Sequence, residues 1–282
     1  MLFPFLTQAQ APLTSQIDAL NEFGERQAVS IPAERALTVY VDKRELVTLM
    51  TLGAHPEWLV LGYLRNQRLV KAVTDIESIT VDWDVGAAAV KTRQGIADIE
   101  EKTARRVVTT GCGQGSVFGA LMDEVDQIAL PAEAGITQGQ LYSLVNTIRL
   151  KETTYKSAGS VHACALFSTA GDAPEMLLFV EDVGRHNAMD TIAGWMWLQD
   201  AAAMTGEKQV FYTTGRLTSE MVIKSAQMGV PVVVSRSGIT EMGLHVAQRV
   251  GLCAIGRATH RRFLCFSHPQ RIVFDDMPPP AA

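Results

Sequence analysis

From about residue 160 the chain settles into a strict alternation of apolar strands and helices of about ten residues, and this alternation most limits the fold. Strands are read at "VHACALFS", "MLLFVEDV", "QVFYTT", "PVVVSR" and "LCAIGR". Helices are read from about Asn187 to Leu198, at "SEMVIKSAQMG" and at "TEMGLHVAQRVG". Strands apolar along their whole length must be buried on both faces, which requires a sheet covered by helices on each side: an α/β fold. "SEMVIKSAQMG" ends at Gly229 with Pro231 just beyond, a normal stop signal.

The first hundred residues are mixed. "ALTVYV", "ELVTLMTL" and "IESITVDWDV" read as strands and "PEWLVLGYLRN" as a short helix, which together suggest a smaller α+β domain. "ARRVVTT" reads as a strand running into a glycine-rich segment, "VTTGCGQGS". "ITQGQLYSLVNTIRL" has helical spacing and opens on Thr137 as its N-cap. The expected organisation is a poorly ordered segment over 1–30, a small α+β domain over 31–100, a larger α/β domain over 101–274, and a tail over 275–282.

The 47% hydrophobic and 20% charged composition is that of a soluble globular protein. A net charge of −5 gives no global pull towards nucleic acid or an anionic membrane. No window approaches the ~18 apolar residues of a membrane span. The N-terminus lacks the positive region and apolar run of a secretory signal. The four cysteines, Cys112, Cys164, Cys253 and Cys265, have no paired spacing, so a reducing, cytoplasmic setting is expected. Neither the short Cys/His pairs of structural zinc, nor the zinc-deaminase signature, nor a Gly-x-Ser-x-Gly elbow is present.

Charge is unevenly spread. Between Gln209 and Ile272 eight Lys/Arg face two acids, a net of +6, which leaves −11 for the rest of the chain. Four strand ends carry glycine, small polar residues and an arginine: "EDVGRHN" (181–187), "TTGRLTSE" (213–220), "SRSGIT" (235–240) and "GRATHRR" (256–262). Ligands of open α/β sheets bind at the carboxyl ends of strands, where freed N–H groups and guanidinium forks suit phosphates. A compact anionic ligand is therefore expected at Arg216, Ser219, Arg236, Ser237 and the 256–262 segment. "EDVGRHNAMD" crowds six polar groups into ten residues. It reads either as a helix start with Asn187 as cap and an Asp182–Arg185 pair, or as a ligand-facing turn that uses Arg185 and His186. His162, inside a strand, reads as a core histidine. Cys112 could be a nucleophile, a persulfide carrier, a remnant of a metal site or a turn residue.

"FVEDVGRHNAMD", "TTGRLTSEMVIKSAQMGVPVVVSRS", "RRFLCFSHPQRI" and, more weakly, "GSVHACAL" resemble the FdhD family, the sulfur carriers required for formate dehydrogenase activity, over residues 33–272. The resemblance implies a cytidine-deaminase-like C-terminal domain without zinc, its mixed sheet covered by helices, and a homodimer. It implies that sulfur passes as a persulfide from a cysteine desulfurase to the bis-(molybdopterin guanine dinucleotide) molybdenum cofactor of formate dehydrogenase, with Cys112 as carrier. The family's cofactor-contacting segment falls on Arg257, Ala258, Thr259, His260, Arg261 and Arg262. The chain departs from the family pattern where Gly115 replaces the second loop cysteine, where Gln67-Arg68 replaces Glu-Gly, and where Thr259-His260 replaces Arg-Gly. A single thiolate can still accept and present sulfur. The alternative is a cofactor-binding chaperone that no longer transfers it.

Overall fold

The computed structural model describes residues 3–96, 99, 125–151, 153–199 and 208–276. Its packing divides the chain into two units, each built from separated stretches. One takes Met1–Gln114, Glu152–His162 and Val180–Leu198; the other takes Gly115–Lys151, Ala163–Phe179 and Gln199–Ala282. The sequence pointed to a single break near residue 100. The division is instead interleaved, because the helix that follows "EDVG" packs into the first unit. Among the described residues no helix is long and apolar enough to cross a membrane.

The first unit holds a five-stranded sheet in the order β1-β6-β7-β4-β5, formed by Phe5–Leu6, Ile76–Asp82, Ala87–Thr92, Arg35–Val41 and Arg44–Thr51. Alternation decides its buried face: Leu37, Val39 and Val41 of β4 are buried, and the residues between them less so. Helix α1 (Pro56–Asn66) lies where it was expected. It contributes Leu59, Val60, Leu61, Tyr63 and Leu64 to the core beneath the sheet.

Residues 14–32, expected to be poorly ordered, form the hairpin β2 (Thr14–Leu20) and β3 (Arg26–Pro32). Among the described residues these two strands pair only with each other, so no sheet-wide apolar period marks them in the sequence. The segment before them is held by polar contacts. Glu57 of α1, 5% exposed, accepts from Thr7 Oγ1 and Ala9 N, both at 2.7 Å, and Thr7 Oγ1 accepts from Val81 N at 2.9 Å.

The second unit carries a six-stranded sheet in the order β10-β9-β11-β12-β13-β14. Its strands are β9 (His162–Ser168), β10 (Glu175–Asp182), β11 (Gln209–Thr213), β12 (Val232–Ser235), β13 (Cys253–Thr259) and β14 (Arg262–Ser267). β11, β12 and β13 are parallel, while β9 and β14 run antiparallel to them, so the sheet is mixed. Helix α2 (Gln138–Leu150) opens on the expected cap. Thr137 Oγ1 accepts from Gln140 N at 3.1 Å, and the Gln140 side chain accepts from Thr137 N at 3.2 Å. Leu141, Leu144 and Val145 of α2 pack with Ala165, Phe167, Val210, Tyr212, Val232, Val234, Cys253 and Ile255. The alternate residues Leu166, Phe211, Val233 and Ala254 are equally buried, so the sheet is covered on both faces.

Helices α5 (Ser219–Gln227) and α6 (Glu241–Val250) make the crossovers between the parallel strands and pack against each other. A short parallel pair, β8 (Ile136–Thr137) with β15 (Ile272–Val273), completes the unit. Beside it Arg271, 9% exposed, donates Nη1 to the carbonyls of Pro131 at 2.7 Å and Ala134 at 2.9 Å, and Nε to that of Gly251 at 3.0 Å. This arginine, one of the eight cations of the basic segment, is consumed by the fold.

Candidate functional site

The carboxyl ends of β11, β12 and β13 are tied to one another through their backbones. Arg236 N donates to Thr213 O at 3.0 Å, Leu217 N to Gly238 O at 2.9 Å and Arg257 N to Ser237 O at 2.6 Å. Hydroxyls at the strand ends reinforce the lacing. Gly215 N donates to Thr213 Oγ1 at 3.1 Å, Ser235 Oγ to Gly215 O at 2.7 Å and Ser237 N to Ser235 Oγ at 2.9 Å. At Gly256 a Cβ would lie 2.9 Å from Ser237 O and 2.8 Å from the Phe266 ring, so a side chain there would push the two strand ends apart.

This lacing brings Arg216, Arg236, Ser237 and Arg257 together on one edge of the second unit, with all three guanidinium groups exposed. Arg257 has φ +52°, in the left-handed region, at an irregularity where the β13–β14 register shifts between Gly256 and Thr259. Such strain is held only where the surroundings over-determine it. Ala258 is buried, whereas Thr259, His260, Arg261 and Arg262 are exposed along the β13–β14 turn. Arg261 is engaged within the fold: its Nη2 lies 2.6 Å from Asp276 Oδ1, and its guanidinium sits 4.6 Å from the centre of the Tyr142 ring.

Ser219 opens α5. Thr218, the preceding N-cap, makes no side-chain capping bond, and its Oγ1 is buried with no partner among the described residues. α6 differs, since Thr240 Oγ1 accepts from Gly243 N at 3.2 Å. The start of α5 therefore lacks a side-chain cap, and helix ends with unsatisfied N–H groups are places where anions bind. Among the other cations of the segment, Lys224 is fully buried in α5, with Nζ 3.6 Å from Glu220 Oε1, and is no surface charge.

Tyr212, one residue before the end of β11, is charge-coupled to Arg236. Burial nevertheless pushes its phenol up to about 12, with Arg236 opposing and Cys164 assisting. Unfolded tyrosine titrates near 10, so between pH ~10 and ~12 the folded state binds more protons than the unfolded one. Stability must therefore fall as pH rises through that window, by about 3 kcal/mol for this group at completion. Urea titrations at stepped alkaline pH should show a shallower decline for Tyr212→Phe than for the parent.

Arg185 and His186 belong to the first unit, in helix α4 (Arg185–Trp197), and are buried at 6% and 2% exposure. The turn before them is a polar scaffold. The Asp182 carboxylate accepts from Thr51 Oγ1 at 2.5 Å, Leu52 N and Gly184 N at 3.0 Å, and Asn187 Nδ2 at 2.9 Å. Burial pushes this carboxyl up, while the Thr51, Gly184, Asn187 and Leu52 donors hold it down. Glu181 accepts from Thr154 N at 2.6 Å and Tyr155 N at 3.1 Å, at the start of helix α3 (Thr154–Ala158). Gly184, not Asn187, is the N-cap of α4, and the Asn187 side chain reaches back to Met50 O at 2.6 Å. Cys112 and its segment 108–116 lie outside the described residues. Among the described residues no three His, Cys, Asp or Glu side chains converge as metal ligands would.

A helix-covered mixed sheet with Arg216, Arg236 and Arg257 exposed at its parallel strand ends defines an α/β protein with a basic edge. Comparison with known proteins gives that class a family. The FdhD/NarQ family model matches residues 32–273, and the chain belongs to that family. Similar relatives include the sulfur carrier protein FdhD of Bacillus subtilis, 29% identical over 90% of this chain and 92% of its own length. The protein of the same name from Geobacillus kaustophilus is 28% identical over 86% of this chain and 90% of its own length. A crystal structure from Desulfotalea psychrophila, provisionally assigned as a formate dehydrogenase accessory protein, superposes with a TM-score of 0.71 at 23% identity. It covers 93% of this chain and 100% of its own, and so supports the fold.

Proposed function

We propose that this chain is a cytoplasmic sulfur carrier that takes sulfur from a cysteine desulfurase onto Cys112 and delivers it to the bis-(molybdopterin guanine dinucleotide) molybdenum cofactor, for use by formate dehydrogenase. The observation that carries the ligand half of this reading is the laced cluster of Arg216, Arg236 and Arg257 beside the uncapped start of α5. A dinucleotide pyrophosphate offers the charge and the acceptor oxygens that such a cluster satisfies. Ser219 and Ser237 would supply hydroxyl donors, and the turn of Ala258, Thr259, His260, Arg261 and Arg262 would flank the guanine. For Arg185 and His186, burial favours a positioning role over direct contact. The second unit would be cytidine-deaminase-like without its zinc, and the working form a homodimer.

Sulfur transfer rests on family membership and on the relatives named sulfur carriers. The Cys112 thiolate would attack the outer sulfur of the desulfurase persulfide, forming its own persulfide and releasing the donor thiol. Gly115, standing where a second thiol would close a disulfide and expel sulfide, leaves release to the acceptor or to an external reductant. The same glycine favours the second reading, a chaperone that binds the cofactor without carrying sulfur.

Calorimetric titration with GDP tests the ligand site. Arg216→Ala and Arg236→Ala should each weaken binding by about ten-fold or more, since a hydrogen bond to a charged group contributes roughly 1.5–3 kcal/mol. Unchanged affinity in both variants would remove the strand-end site.

A further inference from the structure

Cys253 opens β13 and Cys265 lies in β14, and their sulfurs are 3.9 Å apart across the antiparallel pair. The strands around them are pinned. Ser267 Oγ accepts from Ala254 N at 3.1 Å and donates to Leu252 O at 2.7 Å. Cys265 Sγ also lies 3.2 Å from Ser267 O. A disulfide needs its sulfurs at about 2.05 Å, so each has only a short way to travel. The two thiols also differ in access: Cys253 is fully buried, and Cys265 is partly exposed.

We propose that Cys253 and Cys265 form an oxidisable dithiol that closes to a disulfide at the base of the β13–β14 hairpin, whose far end carries the Arg257–Arg262 turn. Cys265 is the attacking sulfur. The hydrogen bond from Cys253 holds its thiol below the usual range, while the same bond and burial push Cys253 up. With a peroxide as oxidant, the Cys265 thiolate attacks one peroxide oxygen, the O–O bond breaks, hydroxide leaves, and Cys265 becomes a sulfenic acid. The Cys253 thiol then attacks that sulfur. An S–S bond forms, the S–O bond breaks, and the thiol proton leaves with the hydroxyl as water. Two electrons pass from the thiol pair to one peroxide, and a dithiol reductant reverses the change. The device does not depend on Cys112 or on the reading of the ligand site.

The full-length protein, treated with hydrogen peroxide, alkylated and digested with trypsin, gives a direct test. Cleavage at Arg257 and Arg262 leaves the two cysteines on separate peptides. The expected result is loss of alkylation at both positions and a non-reduced species joining the two peptides, short of two hydrogens and abolished by dithiothreitol. In Cys253→Ser the same treatment should leave a Cys265 sulfenic acid that dimedone captures. The proposal is overturned if both thiols stay alkylatable, if Cys265 pairs only with Cys112 or Cys164, or if Cys265 is over-oxidised without any linked species.

Discussion

Cys112→Ala is expected to abolish formate dehydrogenase activity in cells whose own sulfur carrier has been deleted, reducing it to the level of the empty vector. The expected effect is total because sulfur transfer requires a covalent S–S intermediate, for which alanine offers no atom. A turn residue would behave differently, since a turn that needs only a small side chain is satisfied by alanine as well as by cysteine. The second cysteine position sharpens the contrast. Restoring it with Gly115→Cys should leave activity intact or raise it, because a second thiol offers another route of release. A chaperone that only holds the cofactor would be indifferent to both changes and sensitive to Arg216→Ala. Enzyme activity in extracts, normalised to the amount of carrier present, reads the difference.

Gly194→Ala should produce the largest loss of stability of any single change considered. α1 and α4 cross with their backbones nearly touching at two glycines. A Cβ on Gly194 would lie 1.9 Å from Trp58 O, and one on Gly62 would lie 1.7 Å from Asp190 O. Neither obstacle is a side-chain tip that can rotate away, so the helices must separate. Separation would disturb the burial of side chains on both helices, among them Leu59, Val60 and Tyr63 of α1 and Ala188, Met189 and Ile192 of α4. Overpacking in cores costs about 1–3 kcal/mol when neighbours can give, and this contact belongs at or above the top of that range. Gly171→Ala is the matched control, since its Cβ would meet nothing closer than 3.6 Å. Urea midpoints at constant m should fall sharply for Gly194→Ala and stay nearly unchanged for the control.

The parallel core of the second unit was readable in advance because the segments of β11, β12 and β13 are mostly apolar and alternate with helices of about ten residues, the first of them closed by Gly229 and Pro231. α1 and α2 were readable from the helical spacing of their apolar residues, and α2 also from its Thr137 cap. The β2–β3 hairpin was not, because a two-stranded arm has no sheet-wide face to impose a period. The polar crowding at "EDVGRHN" was visible, but its purpose was not. Two of the four donors that satisfy Asp182 come from Thr51 and Leu52, some 130 residues away in sequence. Within the basic segment, counting could not separate Arg216, Arg236 and Arg257, left exposed, from Lys224 and Arg271, folded inward. That sorting depends on which carbonyls and carboxylates the fold brings alongside.

Sulfur carriage by Cys112 is read out in the mass of the peptide that contains it. After incubation with a cysteine desulfurase and free cysteine, then alkylation without reduction, one added sulfur atom is expected on Cys112, and dithiothreitol should remove it. A Cys112 peptide that stays at its unmodified thiol mass, while the desulfurase itself is loaded with persulfide, would contradict sulfur carriage by Cys112.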